Sequence, residues 1–120
     1  MAENKLLKRG ADGYVIEVVA TDQLISDTVT ASAIKDIETI VATTKKVIKW
    51  IVYFSTTTKE QTMEVMALNT ITGMIYSVSN VLGDSIDALI DVKIETTNIV
   101  FEVTNNEAEI LVVELLRLSI

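Results

Sequence analysis

The stretch KKVIKWIVYFSTTTKEQTMEVMALNT, residues 45–70, decides the fold of this chain. It contains two apolar runs that are separated by a polar segment, which predicts a β-hairpin. One face of the first strand is entirely apolar and consists of Ile48, Trp50, Val52 and Phe54. The opposite face is apolar apart from one lysine and consists of Val47, Lys49, Ile51 and Tyr53. A strand that turns one face to water normally alternates apolar and polar residues, so something is expected to cover this second face.

We therefore predict that Val47, Lys49, Ile51 and Tyr53 form an interface with another subunit or with a partner protein. Lys49 fits into such an interface because its stem can lie along the apolar surface while its ammonium stays at the rim. The alternative is that the chain covers this face itself, for example with the polar connection that we predict for residues 21–35.

Composition also indicates subunit contacts. A chain of 120 residues forms one domain, and 49% of these residues are hydrophobic, with a mean hydropathy of +0.40. These values are high for a small soluble monomer, which must still cover itself with polar groups. No apolar stretch approaches the roughly 20 residues of a membrane span, and the charged N-terminus does not resemble a signal peptide. We expect no membrane contact, and we assign the excess of apolar residues to subunit interfaces.

The absence of two residue types narrows the possible chemistry. The sequence has no cysteine and no histidine, which removes disulfides, thiolate metal sites and the commonest general base. The net charge of −7 repels phosphate backbones, so we expect no nucleic acid partner. We predict no cofactor and no enzymatic activity.

The pattern of apolar residues predicts an all-β fold. Ile, Val and Thr are abundant, and β-branched side chains pack well on pleated sheets. About eight strands, with a turn every eight to twelve residues, predict a single antiparallel β-sandwich of the jelly-roll-like kind. The predicted strands are Tyr14–Ala20, Ile37–Val41, Lys45–Ser55, Gln61–Leu68, Met74–Val78, Ala88–Glu95, Ile99–Val103 and Glu109–Ser119. SNVLGDS is predicted to be a loop, with Gly83 at its bend.

One segment can be read in two ways. Ala31, Ile34, Ile37 and Val41 have helical spacing, whereas Ile37, Thr39 and Val41 alternate as in a strand. We favour the strand because the rest of the chain is rich in β-branched residues.

The N-terminus is predicted to be an extended arm. Residues 1–12 contain no periodic pattern, and we place the sandwich domain at residues 13–120. The arm collects basic and apolar residues in an otherwise acidic protein, namely Lys5, Leu6, Leu7, Lys8 and Arg9. We predict that it docks on an acidic partner, although a disordered terminus would have the same composition.

Four stretches in a fixed order resemble a β-sandwich domain of virion structural proteins in tailed bacteriophages, especially tail and tail-fibre proteins. They are KWIVYFST after ATTKK, EQTMEVMALNT, GMIYSVSNVLGDSIDALIDV and IVFEVTNNEAEILVVELLRLSI. The resemblance covers roughly Asp36 to Ile120 and has no counterpart for residues 1–35. The turns LNTITG and KIETTN depart from it, since such domains often have Asp-Gly in the first and glycine in the second.

The resemblance implies a structural protein of the phage particle that assembles with copies of itself, most often as a trimer. The contact of the arm with other virion proteins is our own prediction from its basic and apolar residues, because the resemblance does not extend to residues 1–35. The expected place is the tail apparatus, and capsid decoration or a head fibre is the alternative. A small carbohydrate-binding sandwich is a second alternative, but a monomeric module of that kind should be polar on its outer faces.

Three groups of residues could carry chemistry, and in each case we favour a structural interpretation. Asp84, Asp87 and Asp91 would share one face of a helix and could then hold calcium, but we expect an acidic loop that leads into a strand. Glu60 and Glu64 flank the hairpin turn, where nothing indicates the cleft of a glycosidase. The aromatic residues Trp50, Tyr53 and Phe54 could bind a sugar, but we expect Trp50 and Phe54 to lie in the core.

Overall fold

The computed structural model describes residues 8–9, 14–15, 22–42 and 46–119, and every regular element in it is a β-strand. The strands are β1 (Lys8–Arg9), β2 (Tyr14–Val15), β3 (Asp22–Val29), β4 (Ile34–Val41), β5 (Val47–Ser55), β6 (Glu60–Thr70), β7 (Gly73–Gly83), β8 (Ala88–Glu95), β9 (Asn98–Asn105) and β10 (Leu111–Ser119). Within these described ranges, no helix is long and apolar enough to cross a membrane.

Eight of the strands form two antiparallel sheets. The large sheet has the order β3-β10-β5-β6-β7, and the small sheet has the order β4-β9-β8. β1 and β2 pair only with each other, through Lys8–Val15 and Arg9–Tyr14. The predicted antiparallel fold of about eight strands is therefore confirmed, and the helical interpretation of residues 31–41 is wrong.

The core lies between the two sheets, because alternate residues of each strand point toward the opposite sheet. β5 contributes the four residues predicted for its inner face, Ile48, Trp50, Val52 and Phe54, and all are buried. β9 contributes Ile99, Phe101 and Val103 from the other side. The rings of Trp50 and Phe101 meet across the core with centroids 4.8 Å apart and planes tilted by 59°, a favourable arrangement for aromatic pairs.

A polar link crosses the core beside this ring pair. The Trp50 Nε1–H donates a hydrogen bond of 2.9 Å to Oε1 of Glu38 on β4. The other carboxylate oxygen lies 3.2 Å from a guanidinium nitrogen of Arg117 on β10, and both charged side chains are nearly buried. A β-bulge between Asp36 and Glu38 produces this orientation. Because of the bulge, Ile37 and Ile40 are buried, whereas Thr39 and Val41 are exposed, so simple alternation fails in β4.

The predicted surface connection at residues 21–35 is wrong for most of its length. Residues 22–29 form β3, which pairs with β10 along the edge of the large sheet. Ile25 and Val29 point into the core, while Ser26 and Thr28 are exposed. Edge strands tolerate polar residues because one side of the strand faces solvent, and these polar residues made β3 resemble a loop.

The predicted loop after Val78 is also wrong in part, because β7 continues to Gly83. A register shift in the pairing of β6 with β7 lies between Thr62 and Glu64, and Asn80 opposite has a φ of 54°. The extra residue of this irregularity lies in β7, so the segment that suggested a loop continues as a strand. Gly83, with a φ of 101°, ends the strand as a bend, in agreement with the role predicted for it.

The N-terminal predictions lie largely outside the described residues. Of the predicted strand Tyr14–Ala20, the structure describes Tyr14–Val15, which is a strand. Within the predicted arm, Lys8–Arg9 forms a strand where we expected no element. Lys5, Leu6 and Leu7 lie outside the described part of the chain, and the boundary between residues 12 and 13 stays a prediction.

Candidate subunit interface

The large sheet has an outer face that points away from the core and carries apolar residues on all five strands. The strand register places Ile51 between Leu116 of β10 and Glu64 of β6, and Leu116 is opposite Leu24 of β3. Ile51 is 41% exposed and Leu24 is 72% exposed. This row of leucine and isoleucine side chains therefore faces outward without cover from the described strands.

Neighbouring rows continue the apolar surface on both sides. Lys49 is opposite Leu118 and Met66, and Met66 is 50% exposed. At the end of the sheet where β5 and β7 begin, Leu68 is opposite both Val47 and Ile75. We define the outer face by its apolar members, which are Leu24, Val47, Ile51, Tyr53, Met66, Leu68, Ile75, Leu82, Leu116 and Leu118.

All four residues of the predicted interface lie on this outer face. Val47, Lys49, Ile51 and Tyr53 alternate with the buried residues of β5, as the sequence pattern predicted. The rival prediction, that residues 21–35 cover the face, is wrong for β3, because β3 lies beside the other strands in the same sheet. Residues 63–68 and 110–118, which lie largely in β6 and β10, are also apolar on both faces in the sequence, as expected for an interface. The pattern did not identify the parts contributed by β3 and β7, and strand order cannot be read from one chain.

The only lysine among these residues is matched by a carboxylate on the same face. Lys49 Nζ lies 3.1 Å from Oε1 of Glu64 on the neighbouring strand. The hydrogen bond from Lys49, and after it one from Asn80, lowers the pKa of Glu64 below its usual value. The two opposite charges therefore offset each other, and the centre of the outer face gains no net charge from this pair.

The small sheet has a more polar outer face. Asp36, Glu102 and Asp91 lie side by side on three neighbouring strands. Lys93 is 3.0 Å from Glu102 and 3.2 Å from Glu95. Leu89 and Ile34 are also exposed on this face, on either side of Thr104. A polar centre of this kind is expected for a sheet that faces water. The exposed apolar residues of this face, Ile34, Val41 and Leu89, are fewer than those of the large sheet, where they follow one another across all five strands.

β7 is a second unusual surface, which the sequence pattern did not single out. Nine of its eleven residues are exposed, and these include apolar side chains on both faces of the strand. Tyr76 tethers β7 to the small sheet, because its hydroxyl donates a hydrogen bond of 3.1 Å to the Ile90 carbonyl. Burial, and then the nearby Asp91 carboxylate, raise the pKa of this hydroxyl. The signal that could have identified β7 is the absence of Asp, Glu, Lys and Arg from residues 65–83, the longest such run in the sequence.

The end of the sheet where β5, β6 and β7 meet forms a shallow apolar concavity. It has a volume of about 380 Å³, and its lining includes Val47, Met66, Leu68, Ile75 and Tyr76. These side chains belong to the outer face and to β7, so the two surfaces are continuous at this end.

The three acidic residues considered for calcium do not form a group. Asp84 caps the hairpin by accepting the Glu60 amide at 2.9 Å, Asp87 lies in the segment before β8, and Asp91 lies within β8. In the described ranges, no three His, Cys, Asp or Glu residues are placed to hold a metal ion.

The other two candidate groups are also dispersed. Glu60 and Glu64 lie four residues apart on β6, roughly 13 Å at the rise of an extended strand. That separation exceeds the spacing of catalytic carboxylates in glycosidases, which is roughly 5–9.5 Å. Trp50 and Phe54 are buried, as predicted, so only Tyr53 of the aromatic group reaches the surface.

Comparisons with known proteins identify no family. No family model matches this chain, and no curated protein matches it. Among solved structures, the tailspike protein of an Acinetobacter phage matches 100% of this chain with a TM-score of 0.45 and 10% identity. The tailspike protein of an Acinetobacter baumannii phage matches 83% of this chain with a TM-score of 0.42 and 6% identity. The match spans 26% of the length of each tailspike, and a likeness at this level carries no argument about function.

Proposed function

We propose that this chain is a non-enzymatic structural protein of a bacteriophage virion, which assembles with copies of itself in the tail apparatus. The observation that carries the self-assembly is the uncovered apolar outer face of the large sheet. Burial of one such side chain is worth roughly 1.5–3 kcal/mol when it is fully removed from water. Contiguous apolar surfaces of this kind are rare on soluble monomers and are typical of interaction sites.

The placement in a phage particle rests on the order of strands and turns across Asp36–Ile120, which resembles tail and fibre domains. The same resemblance supports assembly in threes. Decoration of the capsid is the alternative, because it would use the same apolar face. The arm of residues 1–12 stays our prediction for the contact with other virion proteins.

A carbohydrate-binding module is less well supported by the geometry. Such a module stacks exposed aromatic rings on the sugar, whereas Trp50 lies in the core against Phe101. The proposal of a non-enzymatic role is supported by the absence of histidine and cysteine from the sequence and by the separation of Glu60 from Glu64.

The replacement Ile51→Asp tests the self-assembly. We expect the variant to fold but to form smaller species than the wild type, because a carboxylate in a dry interface loses its hydration without gaining a partner. The measurement is light scattering coupled to size exclusion, with circular dichroism to confirm the fold. Leu116→Asp, on the neighbouring strand of the same face between Ile51 and Leu24, should have the same effect.

Leu89→Asp is the matched control, because it places the same charge at an exposed leucine on the small sheet. It should leave the mass of the assembly unchanged. A wild-type protein that is monomeric at micromolar concentration would contradict the proposed assembly. So would an Ile51→Asp variant that folds and keeps the wild-type mass.

The place in the virion needs a separate experiment. Antibodies against the chain, applied to particles of the phage that encodes it, should label the tail in electron micrographs. Labelling of the head would favour capsid decoration, and unlabelled particles that also lack the chain by mass spectrometry would contradict a virion role.

A further inference from the structure

β7 has the backbone geometry of a strand that is prepared to receive another strand. It is the last strand of the large sheet, so one of its sides is paired to β6 and the other has no partner among the described strands. Alternate N–H and C=O groups of such an edge strand point outward and can pair with an added strand. The strand is long, with eleven residues from Gly73 to Gly83.

The edge is also held in place rather than loose. Cross-strand pairs with β6 run from Thr70–Gly73 to Gln61–Gly83. The Tyr76 hydroxyl ties the strand to β8, and the Asp84 amide beyond its end donates a 2.8 Å hydrogen bond to the Glu60 carbonyl. An added strand would therefore meet a template that needs little further ordering, which lowers the entropic cost of pairing.

Proteins normally protect such edges, and β7 lacks the protections that come from charge and proline. Edge strands are commonly blocked by lysine, by proline or by an inward-pointing charge. β7 has the sequence GMIYSVSNVLG, which contains no charged residue and no proline. Its one irregularity lies near Asn80, toward its C-terminal end.

We propose that β7 pairs with β7 of a second copy of this chain, in an antiparallel arrangement that joins two large sheets into one. Antiparallel pairing of a strand with its own copy follows from a two-fold axis, so each copy supplies and receives the same groups. In every register of this pairing, the side chains that meet are apolar, hydroxyl or amide groups. In the register centred on Ser77, for example, Tyr76 would lie opposite Val78 of the second copy on one face of the joined sheet, and Ile75 opposite its Ser79 on the other.

Charge is the reason for choosing a second copy as the occupant. Two copies that each have a net charge of −7 repel each other, and carboxylates are distributed over most other strands. β7, together with the β6 segment beside it, is where two copies can approach without bringing like charges together. Since like charges that face each other across a strand pair are destabilising, an uncharged edge is the one that fits its own copy.

This contact is distinct from the interface on the outer face and does not depend on the proposed place in a virion. The outer face would join copies by packing side chains, whereas β7 would join them by backbone hydrogen bonds. Variants can therefore separate the two contacts.

The test combines backbone hydrogen exchange with mass measurement. In the wild type, peptides that cover residues 73–83 should exchange more slowly as protein concentration rises, because pairing protects the outward amides. Val78→Lys should abolish this protection and lower the mass of the assembly, because the two copies would place like charges close together on one face of the joined sheet. Val81→Lys is a second variant with the same expected result. Leu89→Lys, on the edge strand of the small sheet, is the control and should change neither quantity.

The variant Ile51→Asp distinguishes the two contacts. If both exist, this variant should lose the face contact, remain a dimer and keep the protection of residues 73–83. Exchange of β7 amides that does not depend on concentration, together with a Val78→Lys variant of wild-type mass, would overturn the proposed pairing and leave the face contact untouched. Open-ended growth of the Ile51→Asp variant into fibres would also overturn it, because a two-fold pair that acts alone closes after two copies.

Discussion

Glu38 shows how one residue joins the two sheets. Its carboxylate accepts a hydrogen bond from Trp50 through one oxygen and forms an ion pair with Arg117 through the other. A nearly buried ion pair of this kind is costly to desolvate, and its contribution depends on both partners being present. The link therefore fixes the position of β4 relative to β5 and β10 more than it adds to stability.

The replacement Glu38→Gln should destabilise the protein by about 3 kcal/mol, because it leaves the Arg117 charge without this carboxylate in a nearly buried site. The measurement is chemical denaturation followed by circular dichroism. The double variant Glu38→Gln with Arg117→Met removes both charges and should recover much of that loss. Equal stability of the single variant and the wild type would show that the ion pair is not coupled to folding.

The role of Glu38 could not be predicted from the sequence, and neither could that of Asn105. Asn105 is buried, and its amide donates hydrogen bonds to the carbonyls of Val29, Thr30 and Glu109. Both residues are polar positions within apolar strands, so a pattern of alternation assigns them to the surface. Several of their partners, namely Arg117 for Glu38 and Val29 and Thr30 for Asn105, come from distant parts of the chain, which one sequence does not identify. The inner and outer faces of β5 were predicted correctly because nine regular residues without a bulge preserve alternation.

At the scale of the strand, predictions succeeded where turns are short and failed where strands are irregular. The hairpin of β5 and β6 was predicted because a compact polar turn separates two long apolar runs. The edge strand β3 was mistaken for a connection because its exposed positions are polar. β7 was cut short because the irregular pairing near Asn80 resembles a loop in sequence. β3 and β10 are the first and last strands of the two sheets along the chain, and no local sequence pattern indicates that they pair.

Two glycines at the ends of β7 provide a matched test of strand geometry. Gly73 has a φ of 137° with open space around the position of a Cβ, whereas at Gly83, with a φ of 101°, a Cβ would clash with the Glu60 carbonyl oxygen. Gly73→Ala should therefore cost only backbone strain, about 1–3 kcal/mol. Gly83→Ala should cost more, because the backbone of β6 must also move.

The measurement for both glycine variants is the free energy of unfolding from chemical denaturation. If the two variants lose the same free energy of unfolding, the close approach of Gly83 to Glu60 does not contribute to the cost of the substitution.

At the scale of the whole molecule, hydrogen-bonded carboxylates set the response to acid. The amide of Asp87 donates to Glu107 at 2.6 Å, and this bond, followed by the contact with Lys59, lowers the pKa of Glu107. Hydrogen bonds from Thr57 lower the pKa of Glu109, and the hydrogen bond from Lys35 lowers that of Asp27. A carboxylate with a lowered folded-state pKa stabilises the fold above its unfolded value, and that stability is lost as the pH falls through the folded value.

We therefore expect the melting temperature to fall as the pH is lowered below about 4.5, the ordinary value for glutamate. Asp27 and Glu109 are partly exposed, so their individual effects should be small and reduced by salt. The Glu107 side chain is only 11% exposed, so its effect should be the largest of the three. Glu107→Gln should flatten the acid limb of the profile, which is measured by thermal denaturation at a series of pH values. A variant with an unchanged profile would show that the loops around Glu107 do not contribute to acid sensitivity.

The position of the aromatic residues gives this protein two separate optical reporters. Its single tryptophan is fully buried between the sheets, whereas Tyr53 lies on the outer face and Tyr76 on β7. Tryptophan emission should therefore shift only when the sheets separate, and should not change when copies dissociate. The absorption of Tyr53 and Tyr76 should change when copies dissociate, because both residues lie on surfaces where copies are expected to meet. Dissociation and unfolding can thus be followed in one unlabelled sample, at different wavelengths, during the same dilution or titration.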